Sequence, residues 1–236
     1  MSEKGKLFLI PSAIAQGTGP NFLNKQIEEA IRETSYFLVE NVREARRFIS
    51  SLKLGIDISQ LQFEQLDKKT RYEQLPGLFS RASESENIGV ISDAGCPGVA
   101  DPGALAVKYA HDHNITVIPL VGPSSLLLAL MGSGLNGQSF AFVGYLPINP
   151  KEAKGEIQKL ETHSRRQNQT QLFIETPYRS DKMLQLLLAT LQPSTQLCVA
   201  SNLMGENELL RTKMVSDWKK KPPILGKQPT VFLFLA

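Results

Sequence analysis

VISDAGCPGVADPG, residues Val90–Gly103, is where the chain says most about its fold. A short apolar run, Ile88–Ser92, breaks there into a turn rich in glycine and proline. The same theme returns at PLVGPSS, Pro119–Ser125, after the apolar run Ile115–Leu120. Glycine lets backbone turn tightly and come close to a ligand, because no Cβ stands in the way. Proline fixes φ and stops a strand from continuing. Open α/β sheets hold their ligands at the carboxyl ends of their strands. Two such loops therefore predict a small molecule gripped from two sides.

Outward from this stretch, apolar runs with strand character alternate with helical patterns. Strands are expected at Lys6–Ile10, Ser35–Val39, up to Ser92, and at Ile115–Leu120. Helices are expected at Leu23–Arg32, where Leu23, Ile27, Ala30 and Ile31 recur at helical spacing, and at Arg43–Ser51 and Glu73–Ser83. A further helix, Asp101–Asp112, opens on Asp101 as cap with Pro102 in the first turn. This βαβα order predicts a mostly parallel sheet. Beyond Ser125 the expected order is helix Leu126–Met131, strand Phe140–Tyr145, helix Ala153–Glu161 and strand Gln171–Glu175. Helix Ser180–Leu191 and strands Gln196–Ala200 and Thr230–Leu235 follow. A boundary near Pro119–Gly122 divides the chain into two α/β domains, 1–118 and 119–236. No internal repeat or low-complexity segment is present.

At 236 residues, 42% hydrophobic and 21% charged, the chain is long enough to bury a sizeable core and has ordinary globular composition. Nothing approaches the roughly 20 apolar residues of a membrane span, and the opening residues do not read as a secretory signal. A cytoplasmic protein with no membrane partner is expected. Cys96 and Cys198 give neither a disulfide framework nor metal spacing. The net charge of +3 does not by itself demand nucleic acid.

The strings SDAGCPGVADPG, VIPLVGPSS and FAFVGYLP, in this order, resemble the tetrapyrrole methylase family of S-adenosylmethionine-dependent methyltransferases. The nearest branch is the ribosomal RNA small subunit methyltransferase I type, which methylates a ribose 2′-hydroxyl. FIETPYR, Phe173–Arg179, continues the likeness more weakly. The resemblance implies two α/β domains with S-adenosylmethionine in the cleft between them, a homodimer and small-subunit rRNA as partner. It places Gly95, Cys96 and Pro97 in the cofactor loop and Val99 over the cofactor. Ser124 and Ser125 contact it, Leu146 borders its adenine side, and Ile14 approaches from the first loop. No metal is implied.

Methyl transfer from a sulfonium asks little acid–base chemistry, so alignment is the main contribution, worth roughly 7–11 kcal/mol of barrier. A ribose hydroxyl is a poor nucleophile, and a nearby base helps. Glu40, Asp93, Asp101 and Glu175 are the candidate carboxylates. Glu40 and Glu175 are taken as the catalytic pair, Asp93 is placed with the cofactor residues, and Asp101 reads more simply as a helix cap.

The chain departs from the branch at Pro11–Gly17 (PSAIAQG for PTPIGNL) and Glu40–Ala45 (ENVREA for EDTRHT). It departs again at Ala200–Gly205 and Gly226–Phe232. The cofactor half is kept and the substrate half has drifted. Two alternatives therefore stay open: a tetrapyrrole or other small-molecule acceptor, and cofactor binding without turnover. The absence of a His-lined or acid-rich macrocycle site weighs against a tetrapyrrole.

Other features read more plainly. His111-Asp112-His113 is a polar helix end. Lys219-Lys220-Lys221 is a solvated loop, and Lys151, Lys154, Lys159, Arg165 and Arg166 form a solvated helix face. Arg43 and Arg47 share a helix face, and with Arg46 they stand equally as solvated residues and as a phosphate-facing patch. Nothing marks Cys96 as a nucleophile.

Overall fold

The computed structural model describes residues 5–15, 17–82 and 85–236. Gln16 of the PSAIAQG segment, Ser83 at the end of an expected helix, and residues 1–4 of the opening segment lie outside them. The chain forms two compact units, 1–124 and 125–236.

The first unit runs β1 (Lys6–Ile10), α1 (Gly19–Phe22), α2 (Lys25–Arg32), β2 (Tyr36–Val39) and α3 (Val42–Ser51). It continues through β3 (Gln62–Gln65), α4 (Leu75–Phe79), β4 (Ile88–Ile91), α5 (Gly103–Asp112) and β5 (Thr116–Pro119). The strands form one sheet in the order β3-β2-β4-β1-β5. Every pairing in it is parallel, so all five carboxyl ends share one edge. Central strands of a parallel sheet are covered on both faces and read as unbroken apolar runs. YFLV of β2 and IGVI of β4 are buried throughout. Asn24 and Asn41 cap α2 and α3, accepting from Ile27 N–H and from Arg43 and Glu44 N–H.

Two expected helices change shape. The segment read as Glu73–Ser83 is a 3₁₀ turn, Tyr72–Gln74, followed by the single turn α4, because Pro76 and Gly77 shorten it. α5 begins at Gly103 with Pro102 as its cap residue, two positions after the expected start. Asp101 stands one residue further out and accepts from Gly103 N–H at 2.9 Å. In this unit α1 and the edge strand β3 carry no mark in the reading above; further along, the strand Leu209–Met214, the helix Val215–Lys220 and both ends of the helix Pro150–Gln167 carry none either. The segment after β5 stays with the first unit: Leu120 N–H donates to Leu9 O at 3.1 Å and Asn24 Nδ2 to Val121 O at 3.0 Å.

The second unit comprises α6 (Ser125–Ser133), β6 (Phe140–Tyr145), α7 (Pro150–Gln167), β7 (Thr170–Glu175) and α8 (Ser180–Thr190). It ends with β8 (Gln196–Ser201), β9 (Leu209–Met214), α9 (Val215–Lys220) and β10 (Thr230–Leu235). Its sheet order is β6-β7-β10-β8-β9, with β6 and β7 parallel and the other pairs antiparallel. Phe173, Phe232, Phe234, Leu184 and Leu187 are fully buried between sheet and helices. Glu161 of α7, also buried, accepts from Gln192 N–H and the Thr195 hydroxyl, tying α7 to the turn before β8. Among the described residues, no helix is long and apolar enough to cross a membrane.

Candidate functional site

Three loops leave the carboxyl edge of the first sheet from β1, β4 and β5, and each is fastened to the other two. Ser12 N–H, just past β1, donates to Gly95 O in the β4 loop at 2.9 Å. The Cys96 thiol of that loop donates to Pro123 O in the β5 loop at 3.3 Å. The β5 loop returns to the first at Gly122, where a Cβ would sit 2.2 Å from Pro11 Cβ. Gly122 is therefore required by packing. Gly95 is required by conformation: its φ is +77°, and an added Cβ would meet Ile14 Cγ2 at 3.3 Å and Pro123 O at 3.4 Å. A ring of three turns results, with little side-chain bulk on its glycine face.

Asp101 holds the far end of the β4 loop. Its Oδ1 accepts from Gly98 and Gly103 N–H, whereas the buried Oδ2 has no hydrogen-bond partner among the described residues. Burial of the half-satisfied carboxylate outweighs those two N–H donors and pushes its pKa up to about 6. A raised carboxyl binds its proton more tightly in the folded chain. Its contribution to stability is thus present at low pH and is lost as pH rises through roughly 4 to 6. Asp101→Asn is expected to flatten that part of the unfolding free energy against pH, about 1–2 kcal/mol after allowing for partial solvent access. Urea titrations from pH 4 to 7 measure it; the same slope in the variant would refute the assignment.

Beside the loop ring lies a cavity of about 740 Å³, lined by Ser12 and Ile14 from the β1 loop, Asp93 from the β4 loop, and Arg47, Phe48 and Ser51 of α3. Ser12 is 3% exposed and its Oγ has no hydrogen-bond partner among the described residues. Glu40, at the end of β2, spends Oε2 on Asp93 N–H at 3.0 Å. The Asp93 carboxyl is raised from its ordinary value, first by lost solvation and then by the neighbouring Glu40 and Glu44 carboxylates. The Cys96 thiol is also raised, by burial and by Asp101, which makes it a poor nucleophile.

Of the residues singled out from sequence, the structure gathers Ile14, Glu40, Asp93, Gly95 and Cys96, with Pro97 buried beside them. Val99 lies in the same loop and is 47% exposed. Ser124 closes the first unit. The other three belong to the second unit. Ser125 begins α6, and Leu146 is 3% exposed and packs in the core beside Phe173. Glu175 is 4% exposed; its Oε1 accepts from Thr176 N–H and its Oε2 lies 3.1 Å from the Arg179 guanidinium. Ser12 and Gly122 went unmarked in the sequence. Gly122 had a signal in its Pro-Gly surroundings, whereas Ser12 had none. Among the described residues, no group of three or more His, Cys, Asp or Glu gathers as metal ligands.

No family model matches the chain. It is 29% identical over 210 residues to a ribosomal RNA small subunit methyltransferase I from Micromonospora olivasterospora, covering 89% of this chain and 63% of that protein. A namesake from Streptococcus pyogenes is 29% identical over 185 residues, 78% of this chain and 60% of its own length. The chain thus spans about three fifths of the length of these curated relatives. In structure it is similar to the methyltransferase CobJ, with a TM-score of 0.66 at 16% identity, covering 98% and 94% of the two chains. Uroporphyrin-III C-methyltransferase from Thermus thermophilus, complexed with S-adenosylhomocysteine, gives a TM-score of 0.57 at 16% identity, covering 98% and 97%. In sequence the chain resembles the ribosomal RNA small subunit methyltransferase I proteins, and its fold is that of the tetrapyrrole methylases.

Proposed function

We propose that the chain is an S-adenosylmethionine-dependent methyltransferase that acts on a ribose 2′-hydroxyl of small-subunit rRNA, as a cytoplasmic homodimer. The observation that carries this reading is the ring of three interlocked loops beside a cavity that holds a carboxylate. The residues fit the cofactor. The glycine face at Gly95 is a cradle that a Cβ would fill, and Ile14 offers apolar surface beside it. Gly95, Cys96, Pro97, Val99 and Ser124 would hold it from this unit. When bound, S-adenosylmethionine supplies an electrophilic methyl group on a sulfonium.

The chain's own contribution is position and a proton acceptor. Interlocked loops cost no reorganisation on binding, so reacting groups are aligned in advance. Asp93 faces the cavity, and its raised carboxyl is a better proton acceptor than an ordinary aspartate. We assign it the proton released by the acceptor hydroxyl. Glu40, bonded to the Asp93 backbone, is the positioning residue. Glu175, whose two oxygens are engaged within its own loop, is given no proton.

The test is direct. Calorimetry is expected to show S-adenosylmethionine binding in the micromolar range. Tritium from the labelled cofactor is expected on small-subunit rRNA in subunits from cells lacking this activity. Firm cofactor binding with label on a tetrapyrrole and on no RNA would replace the acceptor, and no cofactor binding would end the proposal.

A further inference from the structure

The cavity does not stop at the loops. Its α3 wall includes Glu44, Arg47 and Ser51, and a second depression of about 520 Å³ continues along the same helix, lined by Arg46, Arg47, Ser50, Ser51 and Ile58. The two depressions share Arg47 and Ser51. A small acceptor would need only the first, which already falls in the roughly 300–1,000 Å³ range of ligand sites. The second gives the track room for a neighbouring unit of a polymer.

We infer that this cavity and the groove along α3 bind a single RNA strand, with Arg46 and Arg47 on its phosphates and Ser12 on a ribose hydroxyl of the nucleotide in the cavity. The inference rests on the reading of the chain as an RNA methyltransferase and deepens it by naming the surface that recognises the strand.

Charge and hydrogen-bonding capacity carry the argument. Arg46 lies over the Phe63 ring at 5.2 Å from its centroid, a contact that uses none of its N–H donors in a conventional hydrogen bond. A guanidinium presents five N–H donors in a fork that matches phosphate oxygens. Among the described residues Arg47 pairs with Glu44, at 2.9 Å, in a bridge whose side chains are 56% and 47% exposed. So exposed a pair is weak, and a phosphate can displace it. Phe48 and Ile58 add apolar surface for bases or sugars between the charges. Ser12 supplies the remaining feature. A buried hydroxyl without a partner is costly in an empty site and is satisfied by a ligand that brings a donor or acceptor. A ribonucleotide brings a 2′-hydroxyl, and a deoxynucleotide lacks it.

Fluorescence anisotropy with a labelled single-stranded RNA, and with DNA of the same sequence, tests the inference across a salt series. Cofactor affinity is followed in parallel by calorimetry. Each phosphate contact on a single strand contributes about 0.7 to the slope of log affinity against log salt. The double variant Arg46→Glu/Arg47→Glu is therefore expected to reduce the RNA slope by roughly 1.4. Both side chains are exposed, so the fold tolerates the change. Arg32→Glu, a single charge reversal on α2 away from the groove, is expected to leave the slope intact. Ser12→Ala removes a hydroxyl that has no hydrogen-bond partner among the described residues, and is expected to narrow the preference for RNA over DNA with cofactor affinity unchanged.

An unchanged slope in the double variant overturns the track, as does an equal loss from Arg32→Glu. Ser12→Ala that weakens the cofactor rather than RNA overturns the role of the hydroxyl. A protein that binds cofactor but neither oligonucleotide sinks the track and leaves the methyl-donor reading standing. One that binds RNA with the expected slopes but no cofactor sinks the enzyme reading instead.

Discussion

Gly122→Ala is expected to cost about 1–3 kcal/mol of stability and to weaken S-adenosylmethionine binding at least roughly tenfold. The added Cβ would lie 2.2 Å from Pro11 Cβ and 2.4 Å from Pro11 Cγ, far inside contact distance. Neither partner yields easily. Pro11 is a ring on the residue that follows β1, and Gly122 lies two residues past a backbone bond to Leu9. The strain must therefore pass into the loops. The β5 loop moves, Pro123 O leaves the Cys96 thiol, and the β4 loop loses one of its two fastenings. Because the three turns hold each other in pairs, loosening one contact loosens the whole cradle. Gly77→Ala provides the comparison: it lies in α4 of the same unit with open space where the Cβ would go, and is expected to be neutral or slightly stabilising. Denaturant titration and calorimetry on both variants decide it. Wild-type stability and affinity in Gly122→Ala would show that the loops do not act as a unit.

The contrast between those glycines shows what the amino-acid sequence discloses and what it withholds. Strands β2 and β4 are legible because both faces are covered and their runs are unbroken. β3, QFEQ, is an edge strand with exposed ends, and its polar composition resembles a loop. β9, LLRTKM, lies at the other sheet's edge and has the same difficulty. α7 reaches from Pro150 to Gln167, yet only its middle reads as a helix. Its buried positions include Glu161 and Ser164, which interrupt the apolar stripe. At the site, glycines and prolines announce turns, so the β4 and β5 loops are visible. Their fastenings are not. Ser12 meets Gly95 because β1 and β4 are neighbours in parallel register, with Ile10 opposite Ile91. Eighty-odd residues of intervening chain carry no spacing that reports such a meeting. The tie of Glu40 to Asp93 likewise depends on β2 lying beside β4, with Val39 opposite Ile91.

That tie leads to the largest expected effect. Asp93→Asn is expected to lower the rate of methyl transfer by about 10²- to 10⁴-fold while leaving S-adenosylmethionine affinity within a few-fold of wild type. An amide keeps the size of the side chain and loses its capacity to accept a proton at neutral pH. The fold has little reason to respond, since the Asp93 side chain makes no hydrogen bond shown among the described residues and its backbone N–H stays on Glu40. The pH profile separates a base from a mere contact. A base works only when deprotonated, so the wild-type rate falls as pH drops through the Asp93 pKa. That limb is displaced upward from the usual aspartate value, because lost solvation and the Glu40 and Glu44 carboxylates raise it. In Asp93→Asn the limb should vanish along with most of the rate. Glu40→Gln distinguishes the positioning residue from the base. Its amide oxygen still accepts from Asp93 N–H, but one negative neighbour is gone, so the limb should move to lower pH with much of the rate kept. Single-turnover kinetics from pH 5 to 8 on the three proteins measure this. A limb that persists in Asp93→Asn places the base elsewhere, and a limb that stays put in Glu40→Gln removes Glu40 from its part in tuning it.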